Sequence, residues 1–259
     1  MSRIYKAFEN HKAFIPFVTC GDPDLETTRK IVHTLVDNGA DLIELGIPFS
    51  DPTAEGPVIM EADNRALSGG VTTDQILDFA EDLRKEGIQV PMVFMTYANV
   101  VFSYGTERFM KRAKEAEMDG LILPDVPYEE KEDFEPYCEK YDMDLISMIA
   151  PTSKERISMI AREAKGFIYI VSSLGVTGVR SDITTDIDDL VDHVRKNSSV
   201  PCAVGFGIST PEQAREMALK SDGAITGSAI VKIIAKYGKD SAGPVGEFVK
   251  SMSDAVHSA

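Results

Sequence analysis

Short apolar runs alternate with longer amphipathic stretches along the whole chain. The runs at residues 14–19, 41–45, 92–96, 120–123, 144–149, 167–171, 202–205 and 223–226 are β-rich and bounded by polar or glycine-containing turns, which predicts eight strands. Between them, apolar positions recur at helical spacing over 26–38, 73–86, 107–117, 154–164, 186–196 and 211–219. Helix-start signals sit at Asp22-Pro23, at Thr72-Thr73-Asp74, and at Ser209-Thr210-Pro211-Glu212 with proline in the first turn. Eight strand–helix units at a spacing of roughly 30 residues suit a (β/α)8 barrel with parallel strands. An open, doubly wound sheet shares the alternation, but the count of eight favours the barrel. No linker or change of composition divides the 259 residues, so a single barrel domain over 1–259 with extra terminal helices is expected.

In such a barrel the chemistry lies at the carboxyl ends of the strands and in the loops that follow. The second strand, Leu42-Ile43-Glu44-Leu45, carries a carboxylate on the same period-two face as Leu42. Burying that face desolvates Glu44, at a cost on the order of several kcal/mol or by forcing the group neutral near pH 7. A partner Lys or Arg, or a wet second face, would account for it equally. Asp51 and Glu55 follow on the next loop. Tyr169 lies in the sixth strand, where it serves either the site or the barrel core. Gly178, Gly207 and Gly227 lie on the last three loops, and Ser228 opens a short helix whose free N–H groups favour an anion, as in a phosphate cradle. The polar stretch 174–189 reads as an exposed connection or a lid. A Schiff-base enzyme needs a desolvated lysine, and no predicted strand interior holds one. General acid–base work by Glu44, assisted by Glu55 and Tyr169, is the chemistry these residues offer.

Charge narrows the partners. Against 27 Lys and Arg stand 42 Asp and Glu, a formal charge of -15, so no basic stripe is available for nucleic acid or an anionic membrane. Cys20, Cys138 and Cys202 have neither metal spacing nor an even disulfide set; Cys20 and Cys202 read as small core residues. His11, His33, His193 and His257 are scattered, and no metal site is expected. No run reaches the roughly 18 apolar residues of a membrane span. The first residues lack a signal-peptide pattern, which predicts a cytoplasmic protein.

The segments Phe17-Val18-Thr19-x-Gly21-Asp22-Pro23, Glu44 through Pro52 (Glu-Leu-Gly-Ile-Pro-Phe-Ser-Asp-Pro), Tyr97-Ala98-Asn99, Asp125-Val126-Pro127, Gly175-Val176-Thr177-Gly178, Gly205-Phe206-Gly207-Ile208 and Gly227-Ser228-Ala229-Ile230-Val231 together resemble the tryptophan synthase alpha subunit family. The resemblance runs in order over nearly the whole chain. It implies a barrel lyase that splits indole-3-glycerol phosphate into indole and glyceraldehyde 3-phosphate. It also implies a beta subunit that carries pyridoxal phosphate, uses the indole, and joins this chain in an alpha2-beta2 assembly, with no cofactor in this chain. Glu44 would be acid and then base. Glu55 stands where family members carry aspartate and would accept the indole N–H, with an extra methylene for the loop to absorb. Tyr169 would hydrogen-bond near Glu44. Phe17, Met95, Tyr97, Ile122, Ile149 and Phe206 would form the indole slot, although ordinary barrel core explains most of them equally, and Thr177 would anchor the lid. Gly178, Gly207, Gly227 and Ser228 would bind phosphate, and Pro48, Asp51, Asn99, Phe102 and Pro127 would face the beta subunit. A lyase acting alone, or an activating module with impaired catalysis of its own, are the competing functional readings.

Overall fold

Parallel strands β1 (Ala13–Thr19), β2 (Ile43–Gly46), β3 (Met92–Met95), β4 (Gly120–Ile122), β5 (Asp144–Ile149), β6 (Lys165–Val171), β7 (Cys202–Gly205) and β8 (Gly223–Thr226) close into a barrel in chain order. The computed structural model describes residues 2–171, 187–205 and 207–259. Closure pairs Ala13 with Gly223 and Phe17 with Glu44, so β1 joins the last strand to the second. The strand interiors are apolar on both faces, as burial between a filled barrel and a ring of helices requires. Ile15, Leu42, Val93, Ile122, Phe167 and Tyr169 point inward, whereas Phe14, Ile43, Phe94, Leu121, Ile168 and Val204 face the helices.

The helices are α1 (Leu25–Asp37), α2 (Pro57–Ser68), α3 (Thr73–Lys85), α4 (Ala98–Tyr104), α5 (Thr106–Glu115), α6 (Glu135–Lys140), α7 (Lys154–Glu163), α8 (Ile187–Arg195), α9 (Pro211–Lys220), α10 (Ser228–Tyr237) and α11 (Ala242–His257). Thr72 and Gln75 form a reciprocal capping box, and Ser153 and Thr210 cap α7 and α9. The cap of α1 is Asp24 rather than Asp22. Asp22 instead receives Nε and Nη2 of Arg65, each at 2.8 Å, which clasps the β1–α1 loop to α2.

At the amino-terminal end of the barrel a short 3-10 turn, Arg3–Phe8, plugs the opening with Ile4 and Ala7. Three aspartates there complete the ladder edges: Asp41 accepts the N–H of Phe14, Asp119 that of Met92, and Asp222 that of Cys202. Asp119 is held by Arg84 and Arg3, both at 2.8 Å. Asp41 also meets His11 and His257, which the fold brings together although the chain separates them widely. Cys20, Cys138 and Cys202 are all buried and free. Among the described residues no helix is long and apolar enough to cross a membrane.

Candidate active site

At the opposite end Glu44 and Glu55 have no such cationic partners among the described residues. Glu44 stands in the ladder between Phe17 of β1 and Val93 of β3, on the inward face of β2. It is 1% exposed, and its Oε1 has no hydrogen-bond partner among the described residues. Loss of water raises its pKa from 4.5 to about 8, so the group is mostly a neutral acid at pH 7. Tyr169, on the inward face of β6, is raised well above the ordinary phenol value by burial and by the charge of Glu44. It therefore keeps its proton and remains a donor.

Glu55 lies at the entrance to α2, just before the Gly56 cap and Pro57. The carboxylate is 8% exposed, and its Oε2 has no hydrogen-bond partner among the described residues. Asp63 and Tyr97 both hydrogen-bond to the Glu55 side chain, which leaves Oε1 as the oxygen facing them. Burial nevertheless pushes Glu55 well above the usual carboxylate range. The Tyr97 hydroxyl also accepts the N–H of Ala54 at 3.0 Å, and its ring stacks on Phe49 at 5.3 Å. Tyr97 is thus a brace for the Glu55 loop as well as an apolar surface. Asp63 is a residue that reading the sequence missed. It lies on the face of α2 that buries Ile59, Ala62 and Ala66, and a carboxylate on that helical face is the same kind of signal as Glu44 on its strand.

Phe17 packs over Gly46, where a Cβ would sit 2.6 Å from its ring, and groups with Ile59, Val231 and Met95. Ile122 faces inward on β4. A cavity of about 830 Å³ opens at the loops after β4 and β5, lined by Ala54, Asp125, Tyr128, Met148, Arg156 and Val171 among others; Phe17, Glu44 and Ile122 are not in its wall. The structure does not bring Ile149 to this face. It is buried in the outer cluster, because the inward positions of β5 are Ile146 and Met148. That phase runs unbroken along β5; the irregularity beside it lies in β6, where Lys165 and Ile168 stand opposite the consecutive residues Ile146 and Ser147. Gly207 has φ +81, a conformation favouring glycine, and Gly227 caps α10 with Ser228 as its first residue, leaving helix N–H groups without a side-chain cap. Thr177, Gly178 and Phe206 lie outside the described residues, as does most of the stretch 174–189.

Asp51, Asn99, Phe102 and Pro127 are exposed, on loops and the α4 segment that follow β2, β3 and β4. Pro48 differs: it is buried beneath that surface. Asp125 accepts the N–H of Ala98 and so ties the loop after β4 to the start of α4.

A closed eight-stranded barrel with two desolvated carboxylates at the carboxyl ends of its strands defines a barrel enzyme equipped for general acid–base chemistry. The family model described as tryptophan synthase alpha chain matches residues 5–257. The tryptophan synthase alpha chain of Lacticaseibacillus casei is 48% identical over 256 residues, covering 99% of this chain and 96% of that one. A crystal structure of the tryptophan synthase alpha chain from Legionella pneumophila is 36% identical, with a TM-score of 0.89 over 99% of this chain and 97% of that chain. A chain in a structure of Mycobacterium tuberculosis tryptophan synthase is 32% identical, with a TM-score of 0.89 over 99% and 98% of the two chains. The chain belongs to the tryptophan synthase alpha chain family. It is a carbon–carbon lyase of indole-3-glycerol phosphate that works with a beta subunit, the subunit to which pyridoxal phosphate belongs.

Proposed function

We propose that Glu44 moves both protons of the retro-aldol cleavage. As the neutral acid it gives its proton to indole C3, which makes the ring an iminium and C3 a competent leaving centre. As the resulting carboxylate it takes the proton of the hydroxyl on the attached glycerol carbon. The bond between that carbon and C3 breaks, its electron pair returns to the ring, and glyceraldehyde 3-phosphate and indole separate. Glu44 ends protonated, ready for another cycle. A carboxyl whose pKa is near the operating pH serves both directions.

The free Oε2 of Glu55 accepts the indole N–H and stabilises the positive charge that forms there. Tyr169 donates toward Glu44 once that group is ionised. Phe17, Met95, Tyr97 and Ile122 bound the indole, while Gly207, Gly227 and Ser228 present N–H groups and the dipole of α10 to the phosphate. Asp51, Asn99, Phe102 and Pro127 dock the beta subunit within an alpha2-beta2 assembly, with Pro48 supporting them from below. The whole chain acts as one barrel domain in the cytoplasm. The observation carrying this reading is Glu44, buried, with Oε1 unpartnered among the described residues and beside a protonated tyrosine.

The test is an assay of the purified chain with indole-3-glycerol phosphate, with and without a beta subunit, following both products. Slow cleavage alone and strong acceleration by the partner are expected, with indole and glyceraldehyde 3-phosphate formed one to one. Equal rates in both arms would instead describe a lyase that works alone. Activation of the beta subunit without cleavage would describe an activating module.

A further inference from the structure

The loop after β2 and the second turn of α2 place two carboxyl groups in hydrogen-bonding contact, Glu55 and Asp63, both buried. Two carboxylates at that distance cannot both be ionised in a desolvated site, so the pair holds one proton. We propose that Asp63 is the proton holder of this pair: its neutral carboxyl donates to Glu55 Oε1 and keeps Glu55 ionised, with Oε2 aimed at the substrate N–H. The inference rests on the reading that Glu55 receives that N–H. No bond to substrate forms or breaks at Asp63, which is a positioning residue.

Three features assign the proton to Asp63 rather than to Glu55. Glu55 lies at the amino-terminal end of α2, where the helix dipole favours a negative charge, whereas Asp63 sits inside the helix and has no such support. The Tyr97 hydroxyl donates to Glu55, and a donated hydrogen bond favours the ionised form. Asp63 faces two acidic neighbours, Glu55 and Asp22; the latter is clamped by Arg65, which spends its fork on Asp22 instead of on Asp63. Burial and the Glu55 charge together raise Asp63 well above the carboxylate range. The backbone N–H of Phe49 donates to Asp63 and on its own favours the ionised form, but burial and the charge of Glu55 are the larger effects and leave the acid neutral, accepting from Phe49 at its carbonyl oxygen. Asp125 is the remaining acid in the surroundings and acts on Tyr97, not directly on the pair. A single side chain on α2 thereby links the Phe49 loop to Glu55.

The experiment compares Asp63→Asn, Asp63→Ala and Glu55→Gln in the full chain with its beta subunit, measuring kcat and KM from pH 5.5 to 9. Asparagine keeps an N–H donor for Glu55 and cannot ionise. Alanine removes the donor and leaves Glu55 desolvated without it. The proposal expects the acid limb of kcat/KM to stay within about half a unit in Asp63→Asn and to rise by about one unit in Asp63→Ala, with a roughly tenfold loss at the low-pH side of the limb. It also expects the infrared carbonyl band of a protonated buried carboxyl at pH 7 to weaken in Asp63→Asn, a readout that needs no turnover and serves if Asp63→Ala does not fold. A limb that moves down in Asp63→Asn would show that the parental pair held its proton on Glu55 beside an ionised Asp63, and would overturn the proposal. Equal loss of rate in both variants without movement of the limb would reduce Asp63 to packing. If Glu55→Gln keeps near-parental turnover, the role of Glu55 itself fails; if Glu55→Gln is inactive while both Asp63 variants keep the parental profile, only the proposal for Asp63 fails.

Discussion

The ring of Tyr169 lies so close over Gly205 that a Cβ at the glycine would sit 2.5 Å from the phenolic oxygen and 2.7 Å from Cε1. The ladder pairs Tyr169 with Ala203, so Gly205 is the next inward position of the neighbouring strand. Only the absence of a side chain there lets the phenol reach toward Glu44. Gly205→Ala should displace the ring, lower stability by about 1–3 kcal/mol, and cut cleavage at least tenfold. Thermal unfolding and the indole-release assay check both halves. A variant with parental turnover would separate Tyr169 from the acid–base machinery.

Glu44 binds its proton more tightly in the folded chain than in the unfolded one. Between about pH 4.5 and about 8 folding takes up a proton, so the contribution of this group to stability falls as pH rises. Glutamine has no proton to lose. Glu44→Gln should match the parent near pH 4 and become more stable than the parent toward pH 8, by on the order of 4 kcal/mol. Its cleavage rate should drop by about 10²–10⁴-fold. Urea unfolding of both proteins at pH 5 and pH 8 measures the difference. The same offset at both values would mean that Glu44 is not the desolvated acid described above.

Asp119 at the amino-terminal end and the Glu44 and Glu55 carboxyls at the other follow opposite rules. Arg84 donates to Asp119, and also to the carbonyls of Ile88 and Val90, each at 2.8 Å, while Glu44 and Glu55 at the other end keep unpartnered oxygens. Removing one partner of a buried pair leaves the other charge uncompensated. Arg84→Met should therefore lower stability by about 3 kcal/mol, with little change in the cleavage rate of the folded protein. Denaturant titration beside a rate measurement at low temperature distinguishes this structural charge from the catalytic ones.

Much of this was legible in the chain. The strands were readable because they are buried on both faces and bounded by turn residues, and their ends agree with the observed ones to within two residues. Glu44 was readable because a charge interrupts an apolar period-two run. Asp63 was not, because the segment from Pro57 onward follows a Pro-, Thr- and Gly-containing loop and was not read as a helix; without the helical period, Ile59, Ala62, Asp63 and Ala66 do not share a face. The side on which Ile149 falls was not legible for a related reason: both faces of β5 carry apolar residues, Ile146 and Met148 on one and Leu145 and Ile149 on the other, so the pattern alone does not say which turns inward. The meeting of His11 and His257 at Asp41 depends on where α11 packs, which no local pattern encodes.

Phe102 is 49% exposed although its ring lies 4.8 Å from that of Phe134, which is 1% exposed. A large aromatic anchored at one edge and open on the other is the kind of side chain that carries binding energy at an interface. It shares α4 with Asn99, and the cap of that helix is Tyr97, the residue that hydrogen-bonds to Glu55. A partner seated on Phe102 therefore presses on the element that sets the indole N–H acceptor. Phe102→Ala should weaken association with the beta subunit about tenfold, or about 1.4 kcal/mol, while the slow cleavage by the isolated chain stays at the parental level. Titrating the beta subunit into each protein while following indole release gives both quantities. Recovery of full acceleration at saturating partner would mean that Phe102 contributes affinity alone; acceleration that stays low at saturation would mean that contact at α4 is transmitted through Tyr97 to Glu55.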